Sequence, residues 1–354
     1  MAKYRVGFIG TGRKPEKPGL LGYAMAYRHA EAFKWLPDCE MTACADIVKE
    51  NREAFAGAYG IKGIYADYHE MLANEKLDIV SICTWPKLHA EMTIASIAAG
   101  VRAIHCEKPM ALTYGESRTM LQLATQCGTQ LTFNHQRRFG LPFRKTHELA
   151  KSGAIGKLIR MEAAVGDLYD GGTHWVDMLN YFNDEAPAEW VIGQIDCREV
   201  KLAFGAPCEY QSICHVKYRN GVYSIIITGG ICQSAGPPFR LMGTDGIIEI
   251  GWSPNPGPML RLWKRGAPDW EIVDCKNENL HGPGYIERAI ADVVDCLKTG
   301  REPELCARHA MNATEIIFAC YESSRRRARV DLPLEISDNP ILSMIESGDL
   351  KPRA

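Results

Sequence analysis

Tyr4-Arg5-Val6-Gly7-Phe8-Ile9-Gly10-Thr11-Gly12 is the stretch from which the fold is read. An apolar run that ends in two closely spaced glycines predicts a buried strand followed by a tight turn. Bare backbone at such a turn lets N–H groups approach a pyrophosphate ahead of a helix N-terminus. Alone the motif is weak, since a plain strand-to-helix turn looks the same, and its context decides. Strand-like runs recur at Met41–Ala45, Ile79–Cys83, Ala103–Cys106 and Gln130–Phe133. Helix-like runs separate them, at Tyr23–Trp35, Lys49–Tyr59, Leu88–Ala99 and Tyr114–Cys127. This alternation predicts βαβ units and a doubly wound parallel sheet over residues 1–130, a dinucleotide-binding domain.

The glycine turn departs from the usual pattern. Arg13-Lys14-Pro15-Glu16-Lys17-Pro18-Gly19 replaces the third glycine, and its two prolines oppose a continuous helix. An insertion is expected, with the helix restarting near Gly22. Arg13 and Lys14 either approach phosphates or are solvated loop charges. Asp46 ends the second strand, where a carboxylate accepts from adenine-ribose hydroxyls and repels a 2′-phosphate. No arginine follows it directly, so NAD is expected rather than NADP. Capping the next helix is compatible with that role.

Residues 131–354 have a different texture. Leu158–Val165, Trp190–Cys197, Cys208–Tyr218, Val222–Thr228, Phe239–Met242 and Ile247–Trp252 read as strands. Arg219-Asn220-Gly221 and Thr244-Asp245-Gly246 are hairpin signals between them. A second α/β domain with a large, mostly antiparallel open sheet is predicted. One or two helices pack on it, and two more lie at Tyr285–Lys298 and Ala307–Arg326.

Composition narrows the function. The 354 residues are 46% hydrophobic and 24% charged, which is ordinary globular usage. Lys+Arg 41 against Asp+Glu 43 leaves a net charge of −2, so nucleic acid is not expected as a partner. No apolar stretch approaches the roughly 18 residues of a membrane helix, and the N-terminus shows no secretory pattern. The 13 cysteines are scattered, with no zinc-like spacing. A cytoplasmic protein with reduced thiols and no metal is expected.

Glu107-Lys108-Pro109 closes the run Val101–Cys106, so Lys108 is expected at the carboxyl end of a buried strand, where open parallel sheets bind ligands. Asp170 and His174 are four residues apart, a spacing that puts them on one helical face. An imidazole suits the proton transfer that accompanies hydride removal from a secondary alcohol. An ammonium suits the developing alkoxide. Asp177 is a second candidate partner for His174, and Asp170 has helix capping as its ordinary alternative.

With these residues in view, the sequence resembles the glucose–fructose oxidoreductase, inositol dehydrogenase and rhizopine catabolism (Gfo/Idh/MocA) family. The matching segments are Gly10–Gly12, Asp46, Val80–Thr84 with His89-Ala90-Glu91, Glu107-Lys108-Pro109, Asn134–Phe139, Asp170–His174 and Ala319-Cys320-Tyr321-Glu322-Ser323. The resemblance covers essentially the whole chain. It implies a Rossmann domain, NAD(P)-dependent chemistry on sugars, sugar acids or cyclitols, and a homodimer or homotetramer. It implies that Lys108, Asp170 and His174 form the catalytic group. Thr84 and Trp85 then line the cofactor, and His89 caps or contacts it. Glu107, Lys108, Gln136 and Arg137 are further cofactor positions. Trp85 departs from the pattern, and either shapes the pocket or is a core aromatic. Of Arg137 and Arg138, one is structural or on the cofactor and the other meets an acidic substrate group, for which Arg138 is the candidate. Tyr169, Trp175 and Tyr285 are pocket or core aromatics. Arg325–Arg327 reads as a solvated helix end. A glycosidase that oxidises, eliminates and re-reduces with held NAD is the alternative to a dehydrogenase. A catalytically dead sensor fits poorly with retention of all three catalytic groups.

Overall fold

The computed structural model describes residues 3–16, 24–199, 201–230, 236–251 and 257–351. The expected helix restart near Gly22, the Lys17–Gly19 part of the insertion and the strand end at Trp252 lie outside them. The chain divides into two units. The first holds Met1–Leu112, Glu116–Gln136 and Ile286–Ala310, and the second holds Thr113–Gly115, Arg137–Tyr285 and Met311–Ala354.

In the first unit, β1 (Tyr4–Ile9), β2 (Cys39–Ala45), β3 (Gly63–Tyr65), β4 (Ile79–Ile82), β5 (Ala103–Cys106) and β6 (Gln130–Phe133) form one sheet. Its order is β3-β2-β1-β4-β5-β6, with every neighbour parallel. The crossovers are α1 (Met25–Lys34), α2 (Lys49–Tyr59), α3 (Tyr68–Asn74), α4 (Pro86–Ala98) and α5 (Tyr114–Cys127). β4 and β5 are buried at every position, as strands covered on both faces must be. Phe8 meets Phe33 and Phe55 edge-on at 5.9 and 5.1 Å, joining β1 to its flanking helices. β3 and α3 were not foreseen, because a three-residue strand carries no readable period.

The second unit begins with a 3-10 turn at Gln136–Phe139 and α6 (Leu141–Lys151). β7 (Leu158–Val165) and α7 (Gly171–Phe182) follow. Then come β8 (Ala188–Asp196), β9 (Lys201–Ala203), β10 (Ala206–Cys208), β11 (Gln211–Tyr218), β12 (Tyr223–Thr228), β13 (Phe239–Gly243) and β14 (Gly246–Ile250). β15 (Leu260–Lys264), β16 (Glu271–Ile272), α9 (Ala307–Arg326), β17 (Val330–Asp331) and α10 (Pro340–Ser347) follow, while α8 (Tyr285–Thr299) belongs to the first unit, where Ile286, Ile290 and Val294 join the core. Nine strands form one sheet in the order β16-β15-β14-β13-β7-β12-β11-β8-β17. Only the central β12–β7 pair is parallel. Both hairpin signals are realised: Lys217 pairs with Tyr223 and Met242 with Ile247. The run Cys208–Tyr218 is a correction. It is two strands, β10 and β11, broken at Glu209, whose side chain is fully buried.

α9 covers one face of this sheet. Gly193 in β8 lies under Cys320, and a Cβ there would sit 2.3 Å from its sulfur. The Gly193 and Ile195 N–H groups donate to the hydroxyls of Ser323 (2.8 Å) and Ser324 (3.3 Å). The opposite face is open. Ile213 is 57% and Ile192 46% exposed, and the strand register aligns His215 with Ile192 and Ile225 on the same side. Beside this apolar strip runs a charge ladder, Glu162–Arg240–Glu249–Arg261.

Candidate active site

Gly10, Asp46, Thr84 and Lys108 follow β1, β2, β4 and β5, at the carboxyl ends of adjacent parallel strands. Gly10 has φ +82°, and a Cβ would lie 2.4 Å from Thr84 Cγ2; Gly12 has φ +66°. The turn therefore excludes side chains at both positions. Asp46 Oδ2 accepts from Gly12 N–H at 2.9 Å and Thr11 Oγ1 at 3.1 Å, and Oδ1 accepts from Val48 N–H at 2.8 Å. One carboxylate thus shapes the glycine turn and holds the backbone that leads into α2. A carboxylate offers about four acceptor sites, so capacity remains for a ribose hydroxyl. A bare glycine turn, an anchored acid and a helix beyond fit a dinucleotide. Arg13 is exposed and faces Glu16 at 3.9 Å, as a solvated loop charge does.

The turn that carries Lys108 is held from below. Glu107 is buried, and its Oε1 accepts from Asn134 Nδ2 at 2.7 Å and lies 3.1 Å from His29 Nε2, while Oε2 accepts from the Lys108 N–H at 3.3 Å. Burial pushes this carboxyl up, but His29, the Lys108 charge and Asn134 outweigh it and hold it down at about 2. Burial pushes His29 down, yet Cys83 and Glu107 raise it to about 10. Its neighbour His105 sits 5.0 Å away. Burial first, then the His29 charge, keeps His105 neutral, down at about 3. Half-buried Lys108 is presented by this fixed base, and its bond to Pro109 is cis.

Two expected cofactor positions have partners within the fold. The Glu107 oxygens face His29, Asn134 and the Lys108 N–H. His89 is fully buried, with Nδ1 2.8 Å from the Pro109 carbonyl and Nε2 3.1 Å from the Thr84 carbonyl. Burial lowers its pKa, and as a neutral imidazole between the exits of β4 and β5 it donates to one of the two carbonyls. Trp85 is 53% exposed, which excludes the core reading.

In the second unit, the loop from β7 to α7 delivers Tyr169, Asp170 and His174. Asp170 occupies the N-cap position, yet its side chain makes no capping bond. Asp167 does this instead: its Oδ1 accepts from the N–H groups of Asp170 (2.6 Å) and Gly171 (3.2 Å). Lys201 binds the other Asp167 oxygen at 3.0 Å. Beneath the loop, Glu209 accepts from Leu168 N–H (2.6 Å), Thr228 Oγ1 (2.9 Å) and Tyr321 OH (2.7 Å). Burial, with Asp167 nearby, pushes the Glu209 carboxyl up to about 7 against these donors. Nothing in the sequence marked Glu209. The spacing Asp167-x-x-Asp170-Gly171 was the available signal for the cap.

Arg138 is also corrected: it grips Asp177 through Nε (2.9 Å) and Nη2 (2.7 Å). Arg138 Nη2 also reaches Glu185 at 2.7 Å, and its side chain is 1% exposed. Two carboxylates already neutralise it, so it does not await a substrate anion. Tyr169 and Tyr285 are core residues at 2% and 1% exposure. Trp175 stacks on Phe239 at 5.2 Å, and Arg137 lies 4.7 Å over its ring. Arg325 and Arg326 are not merely solvated, since both bind Glu322.

Two family models match the chain. One, for an oxidoreductase family with an NAD-binding Rossmann fold, covers residues 4–135. The other, for the C-terminal alpha/beta domain of that oxidoreductase family, covers residues 160–332. D-apiose dehydrogenase of Paraburkholderia graminis is 23% identical over 96% of both chains. D-glucoside 3-dehydrogenase of Escherichia coli is 30% identical over 44% of this chain and 41% of its own. Among solved structures, the WlbA dehydrogenase of Bordetella pertussis, in complex with NADH and UDP-GlcNAcA, superposes with a TM-score of 0.74 at 20% identity. That match covers 94% of this chain and all of the other. Among the described residues no helix is long and apolar enough to cross a membrane, and no cluster of three or more His, Cys, Asp or Glu is placed to hold a metal.

The raised Glu209 carboxyl has a measurable sign. The fold holds its proton more tightly than the unfolded chain does, so its contribution is complete below about pH 4.5 and is lost as pH rises through about 7. Glu209→Gln is expected to flatten the fall in Tm between pH 5 and 8 by a few degrees. A Tm profile parallel to that of the parent protein would contradict this origin.

Proposed function

The chain belongs to the Gfo/Idh/MocA oxidoreductase family, and from that premise we propose that it is an NAD-dependent dehydrogenase acting on a secondary alcohol of a sugar, sugar acid or cyclitol. The observation that carries this reading is the fixed base under Lys108. A buried Glu107–His29 pair holds the backbone of the turn that carries Lys108 at the carboxyl end of a parallel strand. That arrangement is more than a sheet needs for its own stability. The nicotinamide supplies the hydride acceptor when the cofactor is bound. Lys108 donates to the substrate oxygen and stabilises its developing negative charge. His174 takes the hydroxyl proton, and Asp170 supports the imidazole as it charges. Asp46 selects NAD, because a 2′-phosphate would meet its carboxylate. Relatives named for apiose, glucoside and inositol oxidation support a carbohydrate substrate.

A second copy of the chain covers the open sheet face, whose apolar strip at Ile192 and Ile213 is costly to leave in water.

Lys108→Met and His174→Asn are expected to lower kcat at least about 100-fold while calorimetry still shows NAD binding. Steady-state rates with a sugar and cyclitol panel test this. Unchanged turnover in both variants defeats the assignment, and release of aglycone from glycosides without NADH growth replaces it with transient-oxidation hydrolysis. Asp46→Ala should narrow the NAD over NADP preference roughly tenfold or more; an unaltered ratio assigns selection elsewhere. Ile213→Glu is expected to convert a sedimenting oligomer to monomer, and a parent protein that sediments as monomer would end the interface proposal.

A further inference from the structure

Arg137 and Arg138 are neighbours on one 3-10 turn, and both are buried, at 5% and 1% exposure. Their surroundings are opposite. Arg138 meets two carboxylates at 2.7 Å. Arg137 makes no ion pair among the described residues. Its Nη2 donates to His281 Nδ1 at 3.0 Å, and its plane lies over Trp175 at 4.7 Å. Its Nε and Nη1 are buried with no hydrogen-bond partner.

A guanidinium carries five N–H donors, and leaving several of them dry is among the costlier things a fold can do. The protein had the means to neutralise this cation, as the adjacent residue shows. Burial pulls the Arg137 guanidinium down to about 10, and Tyr285, Asp170 and Asp177 oppose that only as neighbouring charges. It therefore remains a cation at neutral pH, waiting for acceptors the chain does not supply.

We propose that Arg137 is the receptor for a carboxylate on the substrate, which makes the enzyme a sugar-acid dehydrogenase. This rests on the dehydrogenase reading above and narrows its substrate class. Three features favour a carboxylate. A single unpaired cation matches a single negative charge. Charge-assisted bonds to a planar anion suit a guanidinium fixed in one plane by an indole. Asp170 is close enough for its charge to act on Arg137, so an anion at Arg137 lies near the loop assigned to proton transfer, as a carboxylate a few bonds from the reacting carbon would. The dinucleotide is the other source of anionic oxygen, and the experiment separates the two.

The test compares matched pairs with the full chain and NAD: D-glucose against D-glucuronate, and D-galactose against D-galacturonate. The parent enzyme is expected to favour the acids. Arg137→Met should lower kcat/KM for the acids about 10–100-fold, the worth of a charge-assisted pair, mainly through KM. It should lower kcat/KM for the neutral sugars far less than for the acids, with NAD binding retained by calorimetry. Arg137→Lys should recover part of the loss. Without substrate, Arg137→Met should raise Tm, because it removes a buried cation that has two unpartnered nitrogens and no ion pair among the described residues. Equal losses on acid and neutral sugars, or a lower substrate-free Tm, would overturn the proposal. Weakened NAD binding would reassign the anion to the cofactor and overturn it as well. If no sugar is oxidised at all, the dehydrogenase reading fails. Thermal protection by glucuronate or galacturonate salts over matched chloride, lost in Arg137→Met, then still supports the arginine assignment; its absence in the parent protein overturns it.

Discussion

The ion pair between His29 and Glu107 is the constraint on which the first unit turns. Two groups taken out of water are stable only when each satisfies the other and further donors complete the set. Here α1 supplies the imidazole, β5 the carboxylate, and the segment after β6 the Asn134 amide. Ser81 on β4 lies 2.8 Å from the remaining His29 nitrogen. Strand exits that carry separate parts of the site are thereby locked to one another. Shifting any one of them would strand a buried charge, so the geometry is held by a penalty against movement as well as by attraction.

The second unit reaches the same end by other means. Asp167 fixes the first turn of α7, and Glu209 holds the loop before it, with Tyr321 of α9 completing the carboxylate's partners. The motif residues Cys320, Tyr321 and Ser323 thus have distinct jobs: close contact with Gly193, support of Glu209, and binding of a strand N–H. In each unit a buried acid holds the segment that carries the candidate residues.

What the sequence disclosed follows from how local its signals are. The parallel sheet was legible because apolar strands and amphipathic helices alternate over more than a hundred residues. Gly10, Asp46 and Lys108 were legible because strand ends fix what lies outside them. Both hairpins were legible because Asn-Gly and Asp-Gly leave few alternatives. Long-range pairings were not. Arg138 looked as available as Arg137, and only folding shows Asp177 and Glu185 closing on it. His89 carried a motif position without revealing that two backbone carbonyls would claim its nitrogens. Glu209 broke an apparently continuous strand because its partners lie 41 residues before it and 112 after it. The α6 helix escaped because its apolar residues stand at its two ends, Leu141–Phe143 and Leu149-Ala150, with polar residues between.

The serines of α9 have one more effect. β17 covers only two residues of β8, so the rim of the nine-stranded sheet would otherwise present free amide donors to any passing strand. Ser323 and Ser324 occupy them. An aggregation template is thereby closed by two hydroxyls, and the chain can leave the other face of the sheet open without inviting strands to add at this edge.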